Sequence, residues 1–271
     1  MSVMYLEFYG LKEQPFNVTP DPEFFFCTSG HEEAFYSLLY GIRTRKGFMQ
    51  LTGPVGTGKT TLYRTLLDRL GTEIRSALII NPKLSDIQLI HSIIEDFEIK
   101  VGKRDRKSCF DALNSFLMSL AKAGSTALLI IDEAHNLKPS TLEQIRLLSN
   151  FETNKAKLLQ ILLVGQPELT DLLAKPSLAQ IRQRITMSVT LSPLDRNETE
   201  RYIHHRIKTA GGQGMLIFDS PTIDEIYRFS QGIPRLINIL CDKALFLSYM
   251  QRNRQELKTL MEHGHPAFGS S

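Results

Sequence analysis

The chain has 271 residues, 42% of them hydrophobic and 23% charged, with a net charge of +3: this suits a soluble protein of one large domain, or a large one with a small partner, and is too nearly neutral to imply a nucleic-acid partner. No apolar run approaches the ~20 residues of a membrane span, and the start MSVMYLEFYG lacks the basic and apolar regions of a secretory signal. Cys27, Cys109 and Cys241 are far apart, which suggests neither a zinc knuckle nor a disulfide framework and favours buried free thiols in a reducing, cytoplasmic setting.

Ser29 and Glu32 are placed to cap an amphipathic helix over 31–44, with Tyr36 and Tyr40 on one stripe. Phe24, Phe25 and Phe26, just before it, are expected to pack the N-terminal segment onto the core. From about 46 to 190, short apolar runs alternate with helical patterns, as in parallel α/β folds. The predicted strands are 47–53, 76–81, 126–132, 158–165 and 185–191. The third and fourth are nearly all apolar, as strands covered on both faces are. The predicted helices run from Lys59 to about Leu70, from Ser85 (boxed with Gln88) to about Glu98, and from Ser108 to Ala123, where Gly124 ends the last of these. A further helix spans 139–151 with Leu142, Ile145 and Leu148 on one face. After 192 the strands cease. Asp195 and Glu198 cap a helix ending near Gly211, Ser220-Pro221 opens another, and 234–250 forms a strongly apolar third. The stretch EHGHPAFGSS has no periodicity and is expected to fray.

LTGPVGTGKTTL (51–62) carries the first chemical clue. Gly53, Gly58, Lys59 and Thr60 satisfy G-x-x-x-x-G-K-S/T between a predicted strand and a predicted helix. Glycines let successive N–H groups point inward as an anion nest, and the helix adds its positive end. The loop residues Gly53, Pro54, Val55, Gly56, Thr57, Gly58, Lys59, Thr60 and Thr61 therefore predict a bound nucleoside triphosphate. Lys59 reaches the β- and γ-phosphates, and the Thr60 hydroxyl ligates Mg²⁺.

ALLIIDEAHN (127–136) supplies the second clue. An apolar strand ending in Asp132 delivers a carboxylate that holds the magnesium, and Glu133 beside it can polarise a water. An acid pair there argues for hydrolysis; a small-molecule kinase of the same fold needs no Glu to activate water. Gln166, closing the fourth strand, is placed to orient that water or sense the γ-phosphate, as side chains at strand carboxyl ends do. His135 is expected to pack or hydrogen-bond nearby. His204-His205 lack matching carboxylates or cysteines for a metal site. Arg182, Arg184 and Arg235 are the candidate arginines. An arginine supplied by a neighbouring subunit can raise a phosphoryl-transfer rate by ~10³–10⁵, although the residues alone favour reading either of the 182/184 pair as a surface ion-pair partner over a finger.

With the P-loop, LLIIDEAHNL, LLVGQPEL, RQRI and GIPRLINILCDKAL in this order, preceded by YGLKEQPFNVTPDPEFFF, the chain resembles the AAA+ ATPases of the ExeA/GspA type. The likeness spans residue 4 to about 250. It implies a P-loop NTPase fold with a RecA-like parallel sheet, followed by a small all-helical lid. The corresponding divisions are an N-terminal segment and helix packing on the core (1–45), a nucleotide-binding α/β domain (46–192), a lid (193–255) and a disordered tail (256–271). The resemblance assigns Lys59 and Thr60 to Walker A, and Asp132 and Glu133 to Walker B. It places Gln166 at sensor 1, where many relatives have Asn, Ser or Thr. Arg184 takes the arginine-finger place with Arg182 as alternate, and Arg235 the sensor 2 place, reading the γ-phosphate with the lid. PFNVTPDP would border the adenine pocket.

The cofactors implied are ATP and Mg²⁺. The partners implied are further copies in a ring or filament, and proteins of a membrane-bound secretion or pilus complex at the inner membrane. Members often continue into a membrane segment and a periplasmic domain, which this chain lacks, so association with that membrane would run through partners or a missing C-terminal segment. The related TnsC/TniB/MuB transposition regulators imply a different role, an ATP-dependent scaffold on DNA. The basic run KVGKRDRK (100–107) points that way, and PFNVTPDP toward the secretion type. A nucleotide-bound adaptor that scarcely hydrolyses is the third reading.

Overall fold

Continuous apolar runs, rather than alternating ones, form the middle of this molecule. A computed structural model describes residues 5–19, 21–80, 84–153, 156–212 and 218–251. In chain order its main elements are α1 (Leu6–Tyr9), α2 (Ser29–Arg43), β1 (Phe48–Thr52), α3 (Lys59–Arg69), β2 (Ile74–Ile79), α4 (Asp86–Asp96), α5 (Arg106–Lys122), β3 (Thr126–Ile131), α6 (Pro139–Leu148), β4 (Leu159–Gly165), α7 (Glu168–Ala174), α8 (Ala179–Arg182), β5 (Ile185–Thr190), α9 (Arg196–Thr209), α10 (Ser220–Ser230) and α11 (Pro234–Met250). All five expected strands form, the second starting two residues early at Ile74 and ending at Ile79, while residue 81 of its expected span lies outside the described residues. They make one parallel sheet in the order β2-β3-β4-β1-β5. Every residue of β1, β3 and β4 is buried, as parallel strands covered on both faces must be.

By its contacts the chain divides into two units, one comprising Ser29–Pro54 and Leu62–Leu191, the other the described residues of Met1–Thr28, Val55–Thr61 and Ser192–Ser271. In the first, the connection after β1 leads to the far edge strand β2, and β3 and β4 return one place at a time until β4 lies beside β1. β5 is then added on the other side of β1. Connections leaving β1 and β4 in opposite senses make the switch point beyond whose strand ends α/β proteins bind ligands. On one sheet face Ala127, Leu129, Ile131, Leu159, Ile161 and Leu163 join Ile90, Leu113, Leu142 and Leu169 in a single aliphatic cluster.

The second unit is helical. Tyr5, Tyr9, Phe16 and Phe24 from the N-terminal segment share one cluster with Tyr202, Ile203, Phe218, Ile226, Ile237 and Leu245. Phe24, expected on the core, is thus part of this helical cluster, and Phe26 sits edge-on to Tyr202 at 5.8 Å. Among the described residues no helix is long and apolar enough to cross a membrane.

Several local expectations change. Ser29 lies inside α2 rather than capping it, with Thr28 at the preceding position. α5 starts at Arg106, two residues early, because Asp105 accepts the Ser108 N–H and takes the cap position (2.9 Å). α6 stops at Leu148, where the Ser149 hydroxyl donates back to the Arg146 carbonyl (2.7 Å). Cys109 and Cys241 are buried free thiols, but Cys27 is exposed: it precedes α2 on a segment that turns its aromatic neighbours inward instead. Tyr36 and Tyr40 face solvent, outside the buried stripe of Ala34, Leu38 and Ile42. The stretch EHGHPAFGSS and the tail 256–271 lie outside the described residues.

Candidate functional site

The loop 53–58 joins β1 to α3, and Lys59 and Thr60 open that helix. Gly56 adopts φ +82°, and a Cβ on it would lie 2.7 Å from Arg235 Cβ and 3.1 Å from Ile233 Cγ2. Conformation and space both demand glycine there. Arg235, in the first turn of α11, is therefore packed beside the loop and is itself exposed. Thr57 is buried, Val55 is exposed, and Pro54, Lys59, Thr60 and Thr61 are partly exposed.

Asp132 follows β3 and is only 6% exposed. Its Oδ2 accepts from the Tyr63 hydroxyl at 2.9 Å, and its Oδ1 from the Glu133 N–H at 2.8 Å. Tyr63 stands one helical turn beyond Lys59 on α3, so the helix that opens with the P-loop lysine also grips the carboxylate closing β3. Tyr63 lies outside both the P-loop motif and the acid pair. The available signal was its i+4 spacing from Lys59 with a polar tip on an otherwise apolar helix face.

Glu133 carries φ +51° and ψ 33°. Among the described residues, four non-glycine residues have positive φ; Arg45, Glu98 and Gln231 each lie within two residues of a helix end, the ordinary place for it, whereas Glu133 follows a strand. A left-handed residue there costs about 1–2 kcal/mol and turns the chain into the short 3₁₀ turn Ala134–Asn136. That turn sends His135 back toward β4, the neighbouring strand. The Gln166 N–H donates to His135 Nδ1 at 3.3 Å, the Gln166 side-chain amide lies 3.1 Å from His135 Nε2, and Glu133 Oε2 lies 3.4 Å from the same nitrogen. The Asn136 amide is 3.2 Å from it as well. Gly165 leaves room for this return: a Cβ there would meet Leu169 Cβ at 3.1 Å and the His135 backbone nitrogen at 3.3 Å.

Asp132, Glu133 and Gln166 are thus brought together at adjacent strand ends. The arginines of the fifth strand's approach are not part of that group. Arg184 donates to Ser149 Oγ and, at 2.8 Å, to Asn150 Oδ1 beyond the end of α6. Arg182 donates to the Ala174 carbonyl at 2.9 Å, closing α7. In the helical unit, buried Arg206 donates to the carbonyls of Pro15 and Asn17, and Asn238 donates to the latter as well (3.2 Å), which anchors the start of PFNVTPDP. Among the described residues no cluster of three or more His, Cys, Asp or Glu side chains is arranged to hold a metal ion.

An AAA domain matches residues 42–173. Over 247 residues, 91% of this chain, the sequence is 42% identical to General secretion pathway protein A of Aeromonas hydrophila, and the match takes in 45% of that protein, so the chain spans under half its length. Among solved structures, Drosophila ORC bound to DNA is similar with a TM-score of 0.70 at 17% identity, over 93% of this chain and 63% of that one. The Aeropyrum pernix ORC2 protein in its ADPNP-ADP complexes has a TM-score of 0.66 at 16% identity, over 91% and 70%. At these identities the likeness to the two structures is one of fold. The chain belongs to the AAA-type P-loop ATPases and is a homologue of General secretion pathway protein A.

Proposed function

We propose that the protein hydrolyses ATP to ADP and phosphate with Mg²⁺, works as an oligomer, and serves a secretion or pilus complex at the inner membrane. The observation that carries the enzymatic part is Glu133: a half-exposed carboxylate (49%) in a strained left-handed turn, directly after a buried aspartate at a strand's carboxyl end. In this reading the loop 53–58 wraps the phosphates, Lys59 contacts the β- and γ-phosphates, and Glu133 takes a proton from the attacking water. Thr60 and Asp132 would hold the magnesium. Asp132 suits a hard cation, since its carboxylate is already oriented by Tyr63 and the Glu133 N–H. The metal would neutralise charge on the β- and γ-phosphate oxygens. Gln166 positions the water or reads the γ-phosphate. Arg184, or Arg182, would reach a neighbouring copy's nucleotide, and Arg235 would read the γ-phosphate from the helical unit. The secretion role rests on the name of the 42% identical relative, General secretion pathway protein A.

The domain reading that goes with this function divides the chain at about 45, 192 and 255, with the nucleotide carried by 46–192. A second reading, action on DNA, is favoured by one feature: Lys100, Lys103, Arg104, Arg106 and Lys107 are all exposed between and at the start of the helices α4 and α5.

Phosphate release from MgATP, measured against protein concentration with and without duplex DNA, tests both readings. Wild-type protein should turn over faster per chain as concentration rises. Glu133→Gln should bind ATP and hydrolyse it about 10²-fold more slowly, the scale of a lost general base. A Glu133→Gln rate equal to wild type removes Glu133 from the chemistry, and stimulation only by DNA moves the role from secretion to the nucleic-acid reading.

A further inference from the structure

We infer that a small pocket between α4, α5 and α6 is a docking site for an acidic segment of a partner protein. The segment seats one leucine- or phenylalanine-sized side chain in the pocket and sets its carboxylates against the basic stretch 100–107. None of the residues lining the pocket belongs to the P-loop, the acid pair or the Gln166 group. The inference therefore goes beyond the proposed hydrolysis and does not depend on it.

The floor comes from one stripe of α4. Asp86, Leu89, Ile90 and Ile93 fall at i, i+3, i+4 and i+7, and Leu148 at the end of α6 meets them. Leu89, Ile90, Ile93 and Leu148 are each at most 4% exposed, so the bottom is apolar and already desolvated. Phe110 of α5 supplies a wall and is itself braced by the Phe151 ring at 6.1 Å. The space is about 240 Å³, its open mouth included, which is below the ~300–1,000 Å³ of small-molecule sites. It suits a single anchoring side chain, as interfaces use at their centre.

The rim is polar and unbalanced in charge. Arg106 donates to the Gln144 side-chain oxygen, with its guanidinium 5.7 Å from the Phe110 ring. Both of those neighbours are neutral. Lys100, Lys103 and Lys107 are exposed beside it in sequence. The nearby acids are already engaged: Asp105 caps α5 through Ser108, Glu95 pairs with Arg104 at 2.9 Å, Glu98 with Arg75 at 3.5 Å, and Asp96 accepts the Leu78 N–H. Among the described residues no carboxylate forms an ion pair with Lys100, Lys103, Arg106 or Lys107. The stretch is also tethered, since His91 Nε2 of α4 lies 2.8 Å from the Arg104 carbonyl. Its charges are thus held close to the pocket.

The chemistry of pocket and rim together selects the partner. A nucleic-acid backbone would use the charges but has no apolar group for the aliphatic floor, and Asp86, which lines the pocket and accepts the Thr141 hydroxyl at 3.0 Å, repels phosphate. An acidic peptide with one bulky apolar residue uses both features. Its anchor displaces water from the floor, and its carboxylates meet Arg106 and Lys107, whose charges nothing else offsets.

Short random peptides displayed on phage and selected on the full chain test this. Selection should enrich sequences with a leucine, phenylalanine or methionine flanked by Asp or Glu. The enriched peptide, labelled and followed by fluorescence anisotropy, should lose about 10-fold in affinity when its apolar residue is replaced by alanine, the scale of one buried side chain. Gln144→Phe, which plugs the pocket from α6, should weaken binding about 10-fold, as should the double reversal Arg106→Glu/Lys107→Glu. Lys175→Glu, an exposed position after α7 that lines no part of the pocket, should change it less than about 2-fold. The inference is overturned if no acidic and apolar class is enriched, or if the peptide binds Gln144→Phe as tightly as wild type. It is overturned equally if labelled duplex DNA binds, loses affinity in the double reversal and is not displaced by the peptide, which assigns the basic stretch to nucleic acid. Peptide binding that appears only after residues 252–271 are removed gives the pocket to the chain's own end, and a sedimentation coefficient lowered by Gln144→Phe gives it to a second copy. A wild-type protein that releases no phosphate removes the proposed function and leaves these outcomes as they are.

Discussion

The buried cluster of the sheet unit is almost wholly aliphatic, whereas that of the helical unit sets tyrosine and phenylalanine rings among its aliphatic residues, and the two differ in how they take in polar groups. β3 and β4 are buried end to end, mostly as leucine and isoleucine, so polar side chains gather just beyond their last residues. The helical unit has less surface to bury, and small units gain proportionately less from burial. It draws in Tyr5, Tyr9, Phe16 and Phe24 from the N-terminal segment and accepts polar groups inside the cluster. Tyr5 donates to Asp242, Tyr9 to the Leu245 carbonyl at 3.2 Å, and Tyr202 to Asn238 Oδ1 at 2.8 Å. Burial, with Asp242 second, holds the Tyr5 hydroxyl well above its ordinary pKa. The sheet unit buries fewer such groups but satisfies them in the same way: Gln160 of β4, fully buried, accepts the Gly47 N–H at 2.7 Å and donates to the Lys157 carbonyl at 3.1 Å.

Two substitutions can break that contrast. Ile161 is fully buried in β4 and registers with Phe48 of β1 and Leu129 of β3. Ile161→Ala should cost about 2–5 kcal/mol through lost burial and the cavity left behind, and hydrogen exchange should quicken across β1, β3 and β4. Arg206→Met tests the helical side. It removes two charge-assisted donors from the carbonyls of Pro15 and Asn17 and a guanidinium 4.4 Å from the Phe24 ring centroid. A cost of about 1.5–3 kcal/mol is expected for hydrogen bonds to a charged group, with exchange quickening in α9 to α11. Should either substitution loosen both units equally, the two share one cooperative core and the contrast fails.

The features legible from sequence were those whose physics is local. Strands announced themselves as apolar runs, and the capping boxes at Ser85/Gln88 and Asp195/Glu198 form as spaced. Gly124, at φ +77°, ends α5 as its residue type suggested. The start of α5 was misplaced because Asp105 and Ser108 are both good caps three residues apart, and only the structure shows which accepts from which. Cys27 was misjudged because thiol burial is a statistical tendency with no local cause. At the site, the P-loop and the acid pair could be read from spacing. The grip of Tyr63 on Asp132 and the joining of His135 to Gln166 could not, because both depend on which strands lie side by side. That β4 intervenes between β3 and β1 is a property of the whole sheet, and no short stretch of residues encodes it.

The smallest expected effect distinguishes the units by pH. His205 on α9 lies against the Phe26 ring at 5.4 Å, and its Nε2 is buried without a hydrogen-bond partner among the described residues. Burial, followed by the charges of Arg206 and Lys208, holds its pKa below the ordinary histidine value; Arg201, above the other side of the contact with its guanidinium 6.0 Å from the Phe26 ring, adds no acid to offset them. The sign follows from linkage. The unfolded chain takes up the proton near pH ~6.5, before the folded one does, so protonation favours the unfolded state. The stability tied to a neutral His205 is fully present above ~6.5 and is lost as pH falls from there toward the lower folded value. His205→Leu keeps the apolar contact and cannot titrate. Denaturant midpoints of wild type and His205→Leu should therefore differ more at pH 5 than at pH 8, with wild type the more weakened, and hydrogen exchange should locate the extra loss in α9 rather than in the sheet. Because every other titrating group is common to both proteins, equal losses would mean that the ring is already solvated in the folded state and that the helical unit's interior is wetter than its aromatic packing implies.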